Sequence, residues 1–200
     1  FRAIKKEDPD CELLANYDIS SLKYQVVAGE RLDPPTYYWL EQHLKVPVID
    51  HWWQTETGWS ICANPAGIEL LECRAGSCGV PAPGWDLRVL DEAGQEVATG
   101  EEGAIVVKAP LPPSAFATVW RDHERFAQSY WSQDPGFYRT GYGGYCDEDG
   151  YVYVMGRTDD VINVAGHRLS TGRIEEVLAE HAAVAECAVV GIRDEQKGQE

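Results

Sequence analysis

Hydrophobic and polar positions divide the chain into three stretches of different texture. Tyr24 to Ala28 reads as a short buried strand ending at Gly29. A turn and a helix follow, with Pro34 and Pro35 in the first helical turn and Tyr38, Leu40 and Leu44 on its faces. Val46 to Ile49 is a second short apolar strand. Strand, helix and strand in succession predict an α/β layer with parallel strands, in which ligands bind at the carboxyl ends of the strands.

Beyond Gly67 the chain becomes rich in glycine and proline, with short alternating runs at Leu87–Leu90 and Ala104–Lys108. Glu92 to Gln95 and Gly100 to Gly103 supply turns, so this stretch predicts a small antiparallel β subdomain, in the manner of a distorted barrel. Thr118 to Trp131 contains a helix-like run, HERFAQSYW, and Asp147 to Gly150 makes a hairpin turn. The latter has the first acidic positions of a calcium loop but lacks the later ligands.

A third texture begins at Tyr151. Tyr151, Tyr153 and Met155 alternate with Val152 and Val154 as a strand with two different faces, and Gly156 breaks the run. Arg157, Asp159 and Asp160 form a polar turn without an apolar anchor. A strand over Val161–Val164 ends at Ala165-Gly166, and Ser170 or Thr171 caps a helix carrying Ile174, Val177 and Leu178 at helical spacing. Glu175 and Glu176 suit the positive end of that helix. An apolar run over Cys187–Ile192 predicts a last strand. Two ordered regions therefore meet at a short charged joint, the kind of place where a hinge sits.

Composition narrows the function classes. Hydrophobic content of 44% and charged content of 25% are ordinary for a globular protein. The net charge of -16 argues against a nucleic-acid surface, which needs clustered Lys and Arg. An anionic substrate would be met by local cations such as Arg157, Arg168 and Arg173. No apolar run is long enough to span a membrane. The six cysteines show neither CxxC nor Cys/His metal spacing. They read as reduced core residues, with Cys73 and Cys78 as a candidate pair, which points to an intracellular, soluble protein.

The densest chemistry follows the strand ending at Ile49. Asp50-His51-Trp52-Trp53-Gln54-Thr55-Glu56-Thr57-Gly58 is a polar, aromatic burst ill suited to a core and well placed for a site at a strand end. An aromatic plug with polar neighbours is the structural alternative. On the residues alone, Gly29 is a strand-ending glycine, and Arg157 with Asp159 forms a surface ion pair.

Over the joint, GRTDDVINVAGHRLSTGRIEE closely resembles the junction of the large and small domains in acyl-CoA synthetases of the adenylate-forming superfamily. The closest likeness is to the short-chain branch that activates acetate and propionate, and the whole chain reads in register with it. The resemblance implies the C-terminal part of a large AMP-binding domain over 1–158, with the β subdomain at about 76–158, and the start of an α+β small domain over 159–200. It implies an ATP-dependent ligase that converts a short carboxylate to acyl-adenylate and then to acyl-CoA, releasing pyrophosphate and AMP. GERLDPPT and APLPPSAF look more like the propionate branch, with acetate as the runner-up. ATP, Mg2+, coenzyme A and a small carboxylate are the implied ligands. The setting would be fatty acid metabolism in the mitochondrial matrix or cytoplasm.

Residue by residue, the resemblance implies that Thr55 hydrogen-bonds the α-phosphate and Glu56 holds Mg2+. Trp53 closes the acyl pocket, within a nucleotide-binding run from Asp50 through His51, Trp52 and Gln54 to Thr55. Gly29, Glu30 and Arg31 lie against the adenine, and Arg157 contacts the ribose. Asp159 is the hinge about which the small domain rotates, Gly166 lies where the pantetheine chain passes, and Arg168 is near the reacting phosphates. The phosphate loop of the family is expected before Phe1 and its catalytic lysine beyond Glu200. One position departs from the pattern. Between Gly141 and Gly143 the family has an aspartate that accepts hydrogen bonds from the ribose, and this chain has Tyr142. The rival readings are a nucleotide-binding relic that has lost catalysis and an adenylating enzyme without CoA transfer.

Overall fold

In the computed structural model the residues described are 1–164, 167–179, 181, 183–184, 187–194 and 198–199. The chain opens with a short helix, α1 (Arg2–Glu7), which the hydrophobic pattern does not announce. Strands β1 (Gln25–Val27) and β2 (Val48–Asp50) pair in parallel, Val26 opposite Ile49, with helix α2 (Pro34–Leu44) between them in sequence. Asp33 caps α2 by accepting the Thr36 N–H at 2.9 Å, and both prolines sit in its first turn, where no backbone donor is needed. Its inner face buries Thr36, Tyr37 and Leu40, and Tyr37 and Leu40 pack with Leu32 and Val48. This is the expected parallel α/β unit, with one difference. β1 is not buried on both faces, since Val26 is half exposed.

Antiparallel structure follows. β3 (Cys62–Ala63) pairs with β4 (Val80–Pro81). Then β5 (Leu87–Leu90), β6 (Gly103–Lys108), β7 (Phe137–Cys146) and β8 (Val152–Arg157) form an open meander in that order rather than a barrel. Helix α3 (His123–Trp131), HERFAQSYW to the letter, lies between β6 and β7 in sequence, and Asp122 caps it. The main core is built here from Ile61, Leu87, Ile105, Val107, Tyr138 and Val152.

Two irregularities in the meander bear on function. Ile105 faces Tyr142 while Val106 faces Arg139, so Thr140 and Gly141 are extra on β7; Gly141 takes φ +77. Gly143 faces Gly156 while Gly144 faces Val154, so Met155 is extra on β8. Such bulges bend a strand and re-aim its side chains, and they gather next to sites.

The Asp147–Gly150 hairpin turn is as expected. Asp147 Oδ1 accepts the N–H groups of Asp149 and Tyr151, and its Oδ2 takes Arg74 at 2.8 Å. The turn's acids thus serve the backbone and an arginine. All six cysteines are free, Cys73 and Cys78 included.

At the far end, β9 (Val161–Val164) and β10 (His167–Ser170) make a hairpin, followed by α4 (Thr171–Ala179), β11 (Arg193–Asp194) and β12 (Gly198–Gln199). The sheet order is β10-β9-β12-β11. The expected strand over Cys187–Ile192 is not formed: ladder pairing starts only at Arg193. The Val189 N–H is taken by the Glu175 carboxylate at 2.7 Å, and Val190 and Ile192 are exposed, so among the described residues the apolar run has no neighbouring strand.

Candidate functional site

A cavity of about 910 Å³ opens at the carboxyl ends of β1 and β2. Its first wall is the segment leaving β1, Ala28 to Arg31, where Gly29 takes φ +105. The second is Asp50 to Glu56, leaving β2. The third comes from the meander: Arg139 to Tyr142 at the β7 bulge, and Val154 to Arg157 at the end of β8. Eleven of the expected site residues therefore line one space: Gly29, Glu30, Arg31, Asp50, His51, Trp52, Trp53, Gln54, Thr55, Glu56 and Arg157. Gly166 lies outside the described residues. Arg168 lies in β10 opposite Asn163, and only its backbone is described.

The wall from Asp50 to Gly58 is held by its own short-range bonds. Trp52 bridges to Cys62, its N–H donating to the Cys62 carbonyl at 2.9 Å. Thr55–Thr57 forms one 3₁₀ turn, which Gly58 ends at φ +64, a left-handed conformation that suits glycine. Fully buried Thr57 accepts the Gln54 N–H on Oγ1 at 3.0 Å. The Gln54 side chain then crosses to the meander, donating to the Thr140 carbonyl at 2.7 Å and accepting from the Tyr138 hydroxyl at 3.0 Å. Both polar ends of Gln54 are thus committed within the protein, tying the second wall to the bulge of the third.

Charges in the cavity are unevenly satisfied. Asp50 accepts the Leu32 N–H at 3.3 Å, and burial pushes its carboxyl up to about 7, against the lowering pull of backbone N–H groups and of Arg31. Nδ1 of His51 is buried with no hydrogen-bond partner among the described residues. Glu30 pairs with Arg2 at 2.9 Å. At the rim, Arg157 grips Asp159 with two bonds, Nε to Oδ1 at 2.8 Å and Nη2 to Oδ2 at 2.6 Å. Both side chains are more than half exposed, at 55% and 62%, as the surface-pair reading expected. Within the cavity Trp53 is about half exposed, at 48%.

The carboxylate of Glu56 accepts the Tyr130 hydroxyl on Oε1 at 3.1 Å, and among the described residues Oε2 has no partner. Oxygen donors and a single free carboxylate oxygen fit a hard cation that keeps water and takes phosphate oxygens from a nucleotide, which is the habit of Mg2+.

Several lining residues escaped the sequence reading: Arg2, Arg139, Thr140, Tyr130 and Met155, with Gly172, Glu175 and Cys187 from the last stretch. Arg139 and Thr140 adjoin the glycine-rich run Gly141-Tyr142-Gly143-Gly144, a signal that was present. Tyr130 sits in an amphipathic helix and carries no local signal for a site.

Comparison with known proteins gives this arrangement a family. Residues 1–116 match the AMP-binding enzymes, and residues 173–200 match the AMP-binding enzyme C-terminal domain. The chain belongs to the AMP-binding enzyme family.

Among curated members, an uncharacterized protein of Pseudomonas aeruginosa is 56% identical over 198 residues, 99% of this chain and 32% of that protein. The human protein named acyl-CoA synthetase short-chain family member 3, mitochondrial, is 47% identical over 99% of this chain and 29% of its own length. The Escherichia coli propionate--CoA ligase is also 47% identical, over 98% and 31%. The chain thus spans about a third of the length of the relatives it matches. Among solved structures, the anthranilate CoA ligase AuaEII in complex with anthranoyl-AMP superposes with a TM-score of 0.80 at 29% identity, over 100% of this chain and 37% of that one. The ATP-bound RpMatB-BxBclM chimera gives 0.76, also at 29% identity, over 88% and 33%. The fold is therefore the adenylate-forming one, α/β with small antiparallel sheets, as the joint resemblance implied.

Proposed function

We propose that the complete protein is an ATP-dependent, AMP-forming acyl-CoA ligase acting on a short carboxylate, propionate first and acetate second. The observation that carries this reading is the convergence on one cavity of the Gly29–Arg31 segment, the Asp50–Glu56 segment and Arg157. The likeness to a propionate--CoA ligase and to a short-chain acyl-CoA synthetase supports the acid.

In this reading a carboxylate oxygen attacks the α-phosphorus of ATP and pyrophosphate leaves; the CoA thiolate then attacks the acyl carbon and AMP leaves. The protein acts by positioning and by stabilising charge. Thr55 donates to the α-phosphate, Gly29, Glu30 and Arg31 flank the adenine, and Arg157 reaches the ribose. Arg139, a cation in the third wall, joins Arg157 in meeting the nucleotide's negative charge within a chain of net charge -16. Glu56 would hold Mg2+, which would supply neutralisation of the phosphate charge. Trp53 limits the acyl chain by steric exclusion, which discriminates more sharply than a favourable methylene contact. Domain boundaries at 1–158 and 159–200 follow, with Asp159 as the pivot and Gly166 and Arg168 carried by the second domain. The two family matches fall within these two parts.

A second reading rests on Tyr142, which lines the cavity where the resemblance expects an acid. It makes the protein a nucleotide-binding relic without catalysis. Full-length protein given ATP, Mg2+, propionate and CoA decides. CoA-dependent formation of AMP and propionyl-CoA is expected; nucleotide binding without turnover would favour the relic, and no binding would sink both.

A further inference from the structure

Between β6 and β7 the chain makes a long excursion that grips the Glu56 turn at three points. The Phe116 N–H donates to the Glu56 carbonyl at 2.8 Å. Gly58 stands so close to the Ser114 carbonyl that a Cβ there would collide with backbone. The third point is the Tyr130 hydroxyl on Glu56 Oε1, 3.1 Å away. The first two fix the turn's backbone, and the third fixes its side chain.

The ring of Tyr130 is placed independently of that bond. It stacks on the fully buried Tyr138, centroids 5.7 Å apart at 13°, and stands edge-on to Phe116 at 5.0 Å and 82°. Both contacts survive removal of the hydroxyl. A glutamate has three side-chain torsions and would otherwise move freely in a wide cavity. With Oε1 held by a hydroxyl on a packed ring, Oε2 remains the open oxygen among the described contacts. Partners that orient a ligating carboxylate commonly change metal affinity about tenfold or more.

We propose that Tyr130 is a positioning residue for Glu56, fixing one carboxylate oxygen so that the other is presented to the divalent cation accompanying a bound nucleoside triphosphate. This rests on the reading of the cavity as a MgATP site.

The test is a double-mutant cycle in the full-length protein, read by calorimetric ATP titration with Mg2+ and with EDTA, and by Mn2+ titration followed by electron paramagnetic resonance. Tyr130→Phe should weaken ATP binding about three- to tenfold with Mg2+ and leave it unchanged in EDTA, with a parallel loss of Mn2+ affinity. Glu56→Gln should lose at least as much, and the double variant no more than Glu56→Gln alone, because the hydroxyl acts only through that carboxylate. Equal losses with and without metal, additive losses, no loss, or a Tyr130→Phe protein that does not fold would each overturn the assignment. Wild-type protein that binds no ATP at all would instead remove the functional reading, and this inference with it.

Discussion

Tyr142 stands edge-on against Trp52, ring centroids 5.4 Å apart at 67°, with both side chains on the cavity wall. The contact follows from the bulge at Thr140–Gly141, which sets Tyr142 opposite Ile105 on one side and Arg157 on the other. A phenol there offers one oxygen, whereas a carboxylate offers two and a charge. Tyr142→Asp in the full-length protein is expected to lower the Michaelis constant for ATP about tenfold, since a hydrogen bond to a charged group contributes about 1.5–3 kcal/mol. The constant for propionate should change less. An unchanged or higher ATP constant would make Tyr142 an adequate partner, and the relic reading would lose its main support.

Trp53 allows a clean test of chain length because it is half exposed. Truncating it leaves no sealed hole, so the stability loss should fall below the ~3–5 kcal/mol of a buried tryptophan. Trp53→Gly should gain activity on acids of about six to eight carbons and lose it on propionate, as steric exclusion is relieved. Steady-state kinetics across a series of acids measures this. An unchanged profile would take Trp53 out of the acyl pocket.

The Arg157–Asp159 pair joins the last residue of β8 to the turn before β9, and its exposure means it contributes only ~0–1 kcal/mol to stability. Its good geometry therefore points to local shape rather than to overall stability. Proline at 159 would fix φ near -65° and restrict Thr158 before it. Asp159→Pro in the full-length protein should impair one half-reaction at least about tenfold more than the other, if the chain pivots there. Pyrophosphate exchange reads the first and thioester formation the second. Equal losses would mark a folding defect.

How far the sequence could be read depended on whether a residue's role was local. Helix α2 was legible from its two prolines and from Leu40 and Leu44, four apart on one face, because a start and a face are decided within a few turns of chain; Tyr38 is exposed, and Tyr37 takes the inner place beside Leu40. The Asp50–Glu56 segment was legible because polar residues directly after a buried strand have few other uses. Gln54 was read as a ligand-binding residue, yet its amide joins Thr140 and Tyr138. Those partners lie more than eighty positions away, beyond any periodicity. Tyr130 was missed for the same reason, being recognisable only once α3 packs beside Phe116 and Tyr138. The apolar run at Cys187–Ile192 failed in the opposite way: strand propensity was present, but among the described residues a neighbouring strand was not.

Asp50 gives the protein a pH dependence whose sign is fixed by burial. Its carboxyl lies at about 7 in the folded chain against 3.8 for a free side chain, chiefly because removal from water disfavours the charged form. Between these values the folded state holds a proton that the unfolded state has released. Stability from this group is therefore complete below a pH of about 4 and declines as pH rises through about 7, by up to ~1.4 kcal/mol for each unit separating the two values. Asp50→Asn keeps a carbonyl oxygen to accept the Leu32 N–H and carries no charge at any pH. The melting temperature of the full-length protein should fall between pH ~5 and ~8 by more than that of Asp50→Asn, and the variant should be the more stable at the alkaline end. Parallel curves for the two proteins would mean that Asp50 ionises in the fold as it does in water, and that the Leu32 and His51 N–H groups with Arg31 offset its burial completely.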